Sequence, residues 1–519
     1  MSFLDSAFLF SFLPVTLLLF GVAGRIYGPT AACAVLALAT LVFCLPYGWP
    51  FWAVVVVSAL INHVTFFALV RPSLMARTRL RWYILLGAII LNLGLLVAIK
   101  YGAVFDAIPG AMPVFAAIAA AFPVTVSFFT FQRIVMVLDA YQKRPEAIEF
   151  ASGKLADHIR LGAFSLLFPN LIIGPIAYVS ELGGQLNRGS FGIVRKSDLE
   201  AGLMIATIGL AKKVLIADPM DTWAVLPLFD AVHAGHSVRS MEAIIGMLGF
   251  YTELYFDFSG YSDIAIGVAR LFGLELPINF NSPLRASGIV DFWKRWHITL
   301  TRVIARLLFT PLAIMGTRAA MRFGVRSKRF KALSSWLPIL VNFIVIGLWH
   351  GPRWTYVLFG LYQGTWFILE SQIRSTGRWK AYVSKTSECF RLRAGQIVMF
   401  VLMVISFAIF RSESLIDFGH LMGNLTQGWD SSSISVIFVR KCTIQLMVAF
   451  AIIWLCPNTY EFLRDQRPGI LTWAVPSTTP GWMRFVWHPT LRWAAWGFLL
   501  GATVICSLGV PTQFDYGGF

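Results

Sequence analysis

The chain has 519 residues, of which 57% are hydrophobic, 15% aromatic and only 13% charged, with a mean hydropathy of +0.70. That apolar excess marks an integral membrane protein and excludes a disordered chain. The 43 Lys and Arg against 26 Asp and Glu, a net +17, lie between apolar blocks and not on a polar surface, which excludes a nucleic-acid module.

A bilayer core about 30 Å thick takes roughly 20 apolar residues per helix. The opening MSFLDSAFLFSFLPVTLLLFG lacks the basic start and small-residue cleavage site of a secretory signal, so it reads as a first membrane segment. Stretches free of Asp, Glu, Lys and Arg run over 6–24, 26–70 (long enough for two crossings), 82–99, 107–132, 161–180, 332–352, 354–369, 394–410, 442–460 and 493–514. Between Glu200 and Arg270 the chain is apolar but interrupted by Lys212, Lys213, Asp218, Asp221, Glu253, Asp257 and Asp263. Its crossings are therefore expected to be short, buried among other helices or re-entrant. The expectation is an all-α polytopic protein with roughly 11 crossings plus re-entrant and interfacial helices. No repeat or linker divides it, so residues 1–519 form one domain.

Basic loops separate the spans at 71–81, 374–393 and 318–331, the last with six basic residues and no acidic one. The positive-inside tendency places them in the cytoplasm. Contact with anionic lipid accounts for such runs, and a docking face for an acidic donor or carrier is the alternative. The six cysteines, Cys33, Cys44, Cys389, Cys442, Cys456 and Cys506, show no metal-ligand spacing and read as small core hydrophobes.

Polar groups in lipid are costly and collect at function. Three segments hold them. In YFDFSGYSD (255–263), followed by NFNSP (279–283), Asp257 and Asp263 are six residues apart, about 120° around a helix. A shared-proton carboxylate pair is thus not expected; carboxylates tied to nearby Ser, Tyr, backbone donors or Arg are the bland reading. In DFWKRWHITLTRVIARLLFTPL (291–312), Trp293, Trp296, Ile304 and Leu307 recur at helical spacing with basic residues between them, which predicts an amphipathic interfacial helix carrying His297. In GLWHGPRWTYVLFG (347–360), His350 ends an uncharged run beside Trp349, Gly351 and Pro352, where a helix breaks. A histidine in such a water-poor pocket stays neutral and can accept a proton from a hydroxyl; a buried structural histidine is the alternative.

The ordered series SFFTFQ (127–132), FPNLIIGPI (168–176), AKKVLIAD (211–218), YFDFSGYSDIAIG, NFNSP, DFWKRWHITL and GLWHGPRWTYVLFG, with the closing TQFDYGGF, resembles the membrane-bound O-acyltransferase family. It is most similar to the bacterial branch that includes the alginate O-acetylation and teichoic-acid D-alanylation membrane proteins. The signature core spans about 123–370. The resemblance implies many helices around a central tunnel, with an acyl donor bound from the cytoplasm and an acceptor hydroxyl meeting it at a buried histidine. By motif match His350 is that histidine, and His297 is the second signature histidine on the donor side. Donor-binding or supporting places fall to Trp349, Trp296, Arg295, Asp257, Ser259, Tyr261, Asp263, Asn279 and Asn281, and no metal is implied. Departures from the branch pattern are Arg306 at a usually acidic position, Leu284 for a usual Tyr, AIMGTR for a Gly-rich turn, and Gln363 for a frequent histidine.

The reading is an O-acyltransferase of a bacterial inner membrane with no bound cofactor. It takes acetyl from acetyl-CoA, another acyl-CoA or an acyl-carrier thioester. The acceptor is a hydroxyl of an exported polysaccharide or of a periplasmic acyltransferase partner; membrane lipid is a partner and nucleic acid is not. D-alanyl transfer from a carrier is the alternative within the class, and a transporter or flippase the alternative outside it, although the two halves show no matching broken helices.

Overall fold

The computed structural model describes residues 1–102, 126–324, 330–426, 436–470, 479 and 481–508. Most of the candidate span 107–132, part of the basic run 318–331, the end of the span 493–514 and the terminal TQFDYGGF lie outside the described residues. Among the described residues the regular structure is entirely helical. Among the described residues, seven helices are long and apolar enough to cross a membrane by length and composition.

The first four are α1 (Leu13–Tyr27, continuing a π turn at Phe8–Phe12), α2 (Pro29–Cys44), α3 (Trp49–Val70) and α4 (Thr78–Lys100). Proline in the first turn of α2 and α3 presets the helical φ where no N–H partner is lost. Gly28 and Gly48, at φ 84° and 89°, make the reversals between them. Leu18, Leu38, Val64 and Ile90 present exposed side chains to what is the lipid phase. Inside, Asn62 and Asn92 exchange side-chain amide hydrogen bonds of 3.1 and 2.8 Å between α3 and α4. Such a pair contributes about 0.6–2 kcal/mol in a membrane.

The next helices are interior. In α5 (Val126–Tyr141) every residue from 126 to 140 is buried. The stretch 161–180, expected as a crossing, is instead α6 (Leu155–Ser165), a single turn at Phe168–Leu171 and an extended link to α7 (Val179–Leu186). Pro169, Gly174 and Pro175 break it, and burial in protein satisfies the irregular backbone.

The segment with interrupting charges forms two long rods, one partly exposed and one buried. α8 (Lys196–Ala211) runs on through π turns at Lys212–Ala217 and Asp221–Val225 into α9 (Leu226–His233). Against it lies α10 (Ser240–Leu271), 32 residues and buried without a break from 249 to 269. Glycine permits the approach: a Cβ on Gly209 would stand 2.6 Å from the Gly260 carbonyl, and one on Gly267 2.5 Å from the Ala206 nitrogen. This small-residue packing replaces the hydrophobic drive that lipid removes.

The expected amphipathic helix over 291–312 does not form as one element. α11 (Ile289–Trp293) ends in a turn, His297 takes φ 42°, and α12 (Ile298–Ile304) continues through a π turn at Ala305–Phe309 into α13 (Thr310–Arg322). Trp293, Trp296 and Ile304 are buried in protein and do not lie in an interface, because the reversal at His297 turns them inward. α14 (Leu337–His350) and α15 (Trp354–Ser375) form a tight hairpin, followed by an exposed surface helix α16 (Gly377–Lys385), then α17 (Glu388–Arg411), α18 (Leu415–Asn424), α19 (Val436–Leu455) and α20 (Leu491–Ser507). Cys33, Cys44 and Cys442 are buried as expected, whereas Cys389 and Cys506 are exposed, facing outward from α17 and α20.

The described parts of the basic loops lie at one end of the helices, with Lys331 donating to Gln372 of α15. Arg81 at the start of α4 donates to the carbonyls of Ala140 and Tyr141, and Lys143 to Met75. Lys100, Trp349, Arg353 and Glu413 gather at the opposite ends of α4, α14, α15 and α17.

Candidate active site

The site is assembled where the sequence motifs converge. Residues 279–281 pair with the turn after α11: Ile298 N–H donates to the Asn279 carbonyl at 2.9 Å and Asn281 N–H to the Arg295 carbonyl at 3.0 Å. This pairing over-determines the left-handed backbone of His297, a conformation unusual for a residue with a Cβ. The Asn279 side chain then fixes the ring. Its Oδ1 accepts from Thr299 Oγ1 at 2.6 Å and faces His297 Nδ1 at 3.3 Å, while its Nδ2 donates to Ser262 Oγ at 3.1 Å. A carbonyl-type partner at Nδ1 assigns the proton there and makes Nε2 the lone-pair nitrogen of the neutral ring.

Other motifs brace this turn. Ile176 N–H donates to Thr299 Oγ1 at 3.1 Å, and Asn170 Nδ2 to Gln132 Oε1 at 2.8 Å, which links FPNLIIGPI to WKRWHIT and to α5. Around His297 stand Phe258, edge-on at 4.7 Å, Phe128 at 6.0 Å and Trp349 at 6.2 Å between ring centroids.

His350 enters from the other side. It ends α14, where Gly351 breaks the helix, and packs on its neighbour Trp349 at 4.5 Å, on Phe410 at 4.6 Å and on Tyr356 at 5.8 Å. Both imidazoles are buried, 1% exposed for His297 and 6% for His350. The α14–α15 hairpin holds this end closely, since a Cβ on Gly360 would stand 2.5 Å from the Phe343 carbonyl. Lys100 and Tyr101, at the end of α4, donate to the carbonyls of Trp349 and Leu348.

Sequence reading singled out His350, His297, Trp349 and Asn279, and these the fold brings together; behind them Trp296 stacks on Phe292 at 5.4 Å and meets Phe280 edge-on at 5.0 Å. The others lie elsewhere. Asp257 meets Lys213 at 2.6 Å, and Lys213 also meets Asp218 at 2.7 Å and stands over the Tyr261 ring at 5.7 Å. Asp263 accepts from Lys212 at 2.6 Å, Thr459 at 2.5 Å and Tyr460 at 2.7 Å. The carboxylates are thus held apart in two ionic clusters with lysine partners, and the π turn that starts at Lys212 aims both adjacent lysines at α10. Ser259 is buried in α10. Arg295 pairs with Asp291 at 2.8 Å on the basic face, and Asn281 accepts from Asn458 at 3.1 Å. The departures are absorbed locally: Arg306 pairs with Asp139 at 2.8 Å, and Gln363 accepts from the Trp293 indole at 2.9 Å and donates to Ser406 at 2.7 Å. Lys100, Phe128, Phe258, Phe410 and Ser262 were missed; of these only Phe128, Phe258 and Ser262 stood in quoted motifs. Among the described residues no group of three His, Cys, Asp or Glu is placed to hold a metal.

The profile of the membrane-bound O-acyltransferase family matches residues 46–416. A peptidoglycan O-acetyltransferase of Helicobacter pylori is 35% identical over 47% of this chain and 46% of its own length. A probable alginate O-acetylase of Pseudomonas syringae is 28% identical over 93% of this chain and 89% of that protein. A teichoic acid D-alanyltransferase of Streptococcus thermophilus is 25% identical over 47% and 55%. The match thus spans less than half of the first of these relatives and nearly the whole of the second.

Proposed function

We propose that this chain, which belongs to the membrane-bound O-acyltransferase family, transfers an acyl group, acetyl first among candidates, from a thioester presented at its basic face to a hydroxyl presented at the opposite face. His350 acts as the base. Its imidazole takes the hydroxyl proton as the oxygen bonds to the thioester carbonyl carbon; the tetrahedral adduct then collapses, the carbon–sulfur bond breaks, and the imidazolium returns the proton to the departing sulfur. His297, turned by Asn279, orients the donor. Roughly 11 crossings around a tunnel would keep water from the acyl group.

The observation that carries this reading is the burial of His350 at a helix break beside Trp349 and His297, at the junction of the family's motifs. The relatives' names support a cell-envelope polysaccharide as acceptor, directly or through a periplasmic partner, and hence a bacterial inner membrane with the basic loops in the cytoplasm. Acetyl-CoA, another acyl-CoA or an acyl carrier serves as donor substrate, with no bound cofactor. D-alanyl transfer from a carrier is the second reading, favoured by the match to the D-alanyltransferase. Everted membrane vesicles given acetyl-labelled CoA thioester test it. Alkali-labile label on a hydroxyl acceptor is expected. No ester from acetyl-CoA, with ester formed from a D-alanyl carrier, selects the second reading. Solute transport without either ester overturns both.

A further inference from the structure

A cavity of 640 Å³ lies between α8, α10, α19 and α20, apart from the histidines. Tyr255 lines it, and the rings of Phe280 at 6.1 Å and then Phe258 at 5.0 Å separate it from His297. Its walls are apolar, from Ile208 and Leu215 beside α8, Val448 and Ile452 of α19, and Trp493 and Trp496 of α20. Val448 and Trp496 are also 47% and 42% exposed, so the cavity reaches the lipid-facing surface.

Its floor is polar and cationic. Lys212, which lines it, donates to Asp263 at 2.6 Å and to Thr459 at 2.9 Å. Arg285 lines it too, donating to the carbonyls of Ile453 and Cys456 and to Thr479. A smaller polar cleft shares Asn458 and Phe485 with it and adds Arg464, Arg484 and Glu461. Four cations against Asp263 and Glu461 leave this end positive. Trp493, Phe462 and Phe485 pack together beside it, an interfacial aromatic group.

Depth agrees with charge. Asp263 stands eight residues, about 12 Å, from the basic-face end of α10, a helix of roughly 48 Å that overshoots a bilayer core of about 30 Å. Lys212, which pairs with Asp263, therefore lies nearer the basic-face end of α10 than its middle.

We propose that this cavity binds one anionic glycerophospholipid of the basic-face leaflet, with an acyl chain between α19 and α20 and its phosphate against Lys212 and Arg285. Photoactivatable phosphatidylglycerol and phosphatidylcholine of identical chains, compared in nanodiscs of the full chain, test it. Phosphatidylglycerol is expected to label peptides from 436–455 and 491–507 about fivefold more than phosphatidylcholine. Val448→Trp, at an exposed wall position where bulk is tolerated, should remove that excess, and Arg464→Gln with Arg484→Gln, which leave the cavity and its phosphate contacts intact, should only lower it. Equal labelling by the two lipids would show a belt lipid only and overturn the proposal. So would displacement by inorganic phosphate alone, which would assign the cations to a soluble anion.

Discussion

The ammonium of Lys100 donates to the carbonyl oxygen of Trp349 and stands 4.8 Å from the centroid of that residue's indole. With Tyr101 on the Leu348 carbonyl, which the Gly351 N–H also reaches at 3.1 Å, it holds the last turn of α14 one residue before His350. Lys100→Met should therefore lower kcat by about 10²-fold, the scale of a 1 Å displacement of a catalytic group, with the KM for donor unchanged. Lys100→Arg should keep most activity. Steady-state kinetics on both variants, at matched size-exclusion profiles, check this.

Asn279 links His297, Thr299 and Ser262. Asn279→Leu strands these buried groups at about 1–3 kcal/mol each. Acyl transfer is expected to fall while the protein still folds; thermal unfolding in detergent, read beside activity, separates the two.

The Asp257–Lys213–Asp218 cluster reads as scaffold. Lys213→Met alone leaves buried carboxylates uncompensated and should destabilise by about 3–5 kcal/mol. Adding Asp257→Leu and Asp218→Asn should recover most of that loss, as unfolding midpoints of the single and triple variants would register.

Gly209 has no room for a side chain against Gly260, whereas Gly87 has nothing within 4 Å of an added Cβ. Gly209→Val should abolish the monodisperse folded fraction and Gly87→Ala should leave it intact, as fluorescence size-exclusion would record.

On the face opposite the basic loops, His233 is raised above its ordinary value of 6.5, first by its hydrogen bond to Asp417 and then by Glu413, with Arg353 opposing. The folded state holds this proton more tightly. The link from α9 to α18 is thus fully present below pH 6.5 and is lost as pH rises through the raised value. Hydrogen exchange in 415–424 should quicken with pH beyond the intrinsic rate, and His233→Gln should remove that extra dependence.

What was legible followed from chemistry written locally. Long apolar runs gave α1 to α4, and the glycine after His350 marked the end of α14. The stretch 161–180 misled because an uncharged run satisfies a length rule whether lipid or protein covers it. The reversal at His297 was hidden because Trp296 and Ile304 keep helical spacing across a left-handed residue that is not glycine. The partners of Asp257 and Asp263 were invisible for another reason: Lys212 lies 51 residues from Asp263, and only the packing of α8 on α10 brings them together. Lys100 reaches Trp349 across 249 residues, with no motif to announce it.

The central claim is that the imidazole of His350 moves the acceptor proton. Its most direct measurement is the rate of acetyl transfer from labelled acetyl-CoA by His350→Ala against the unaltered chain, at equal amounts of folded protein in everted vesicles. A loss of about 10²–10⁴-fold is expected. Transfer by His350→Ala at the unaltered rate would contradict the account.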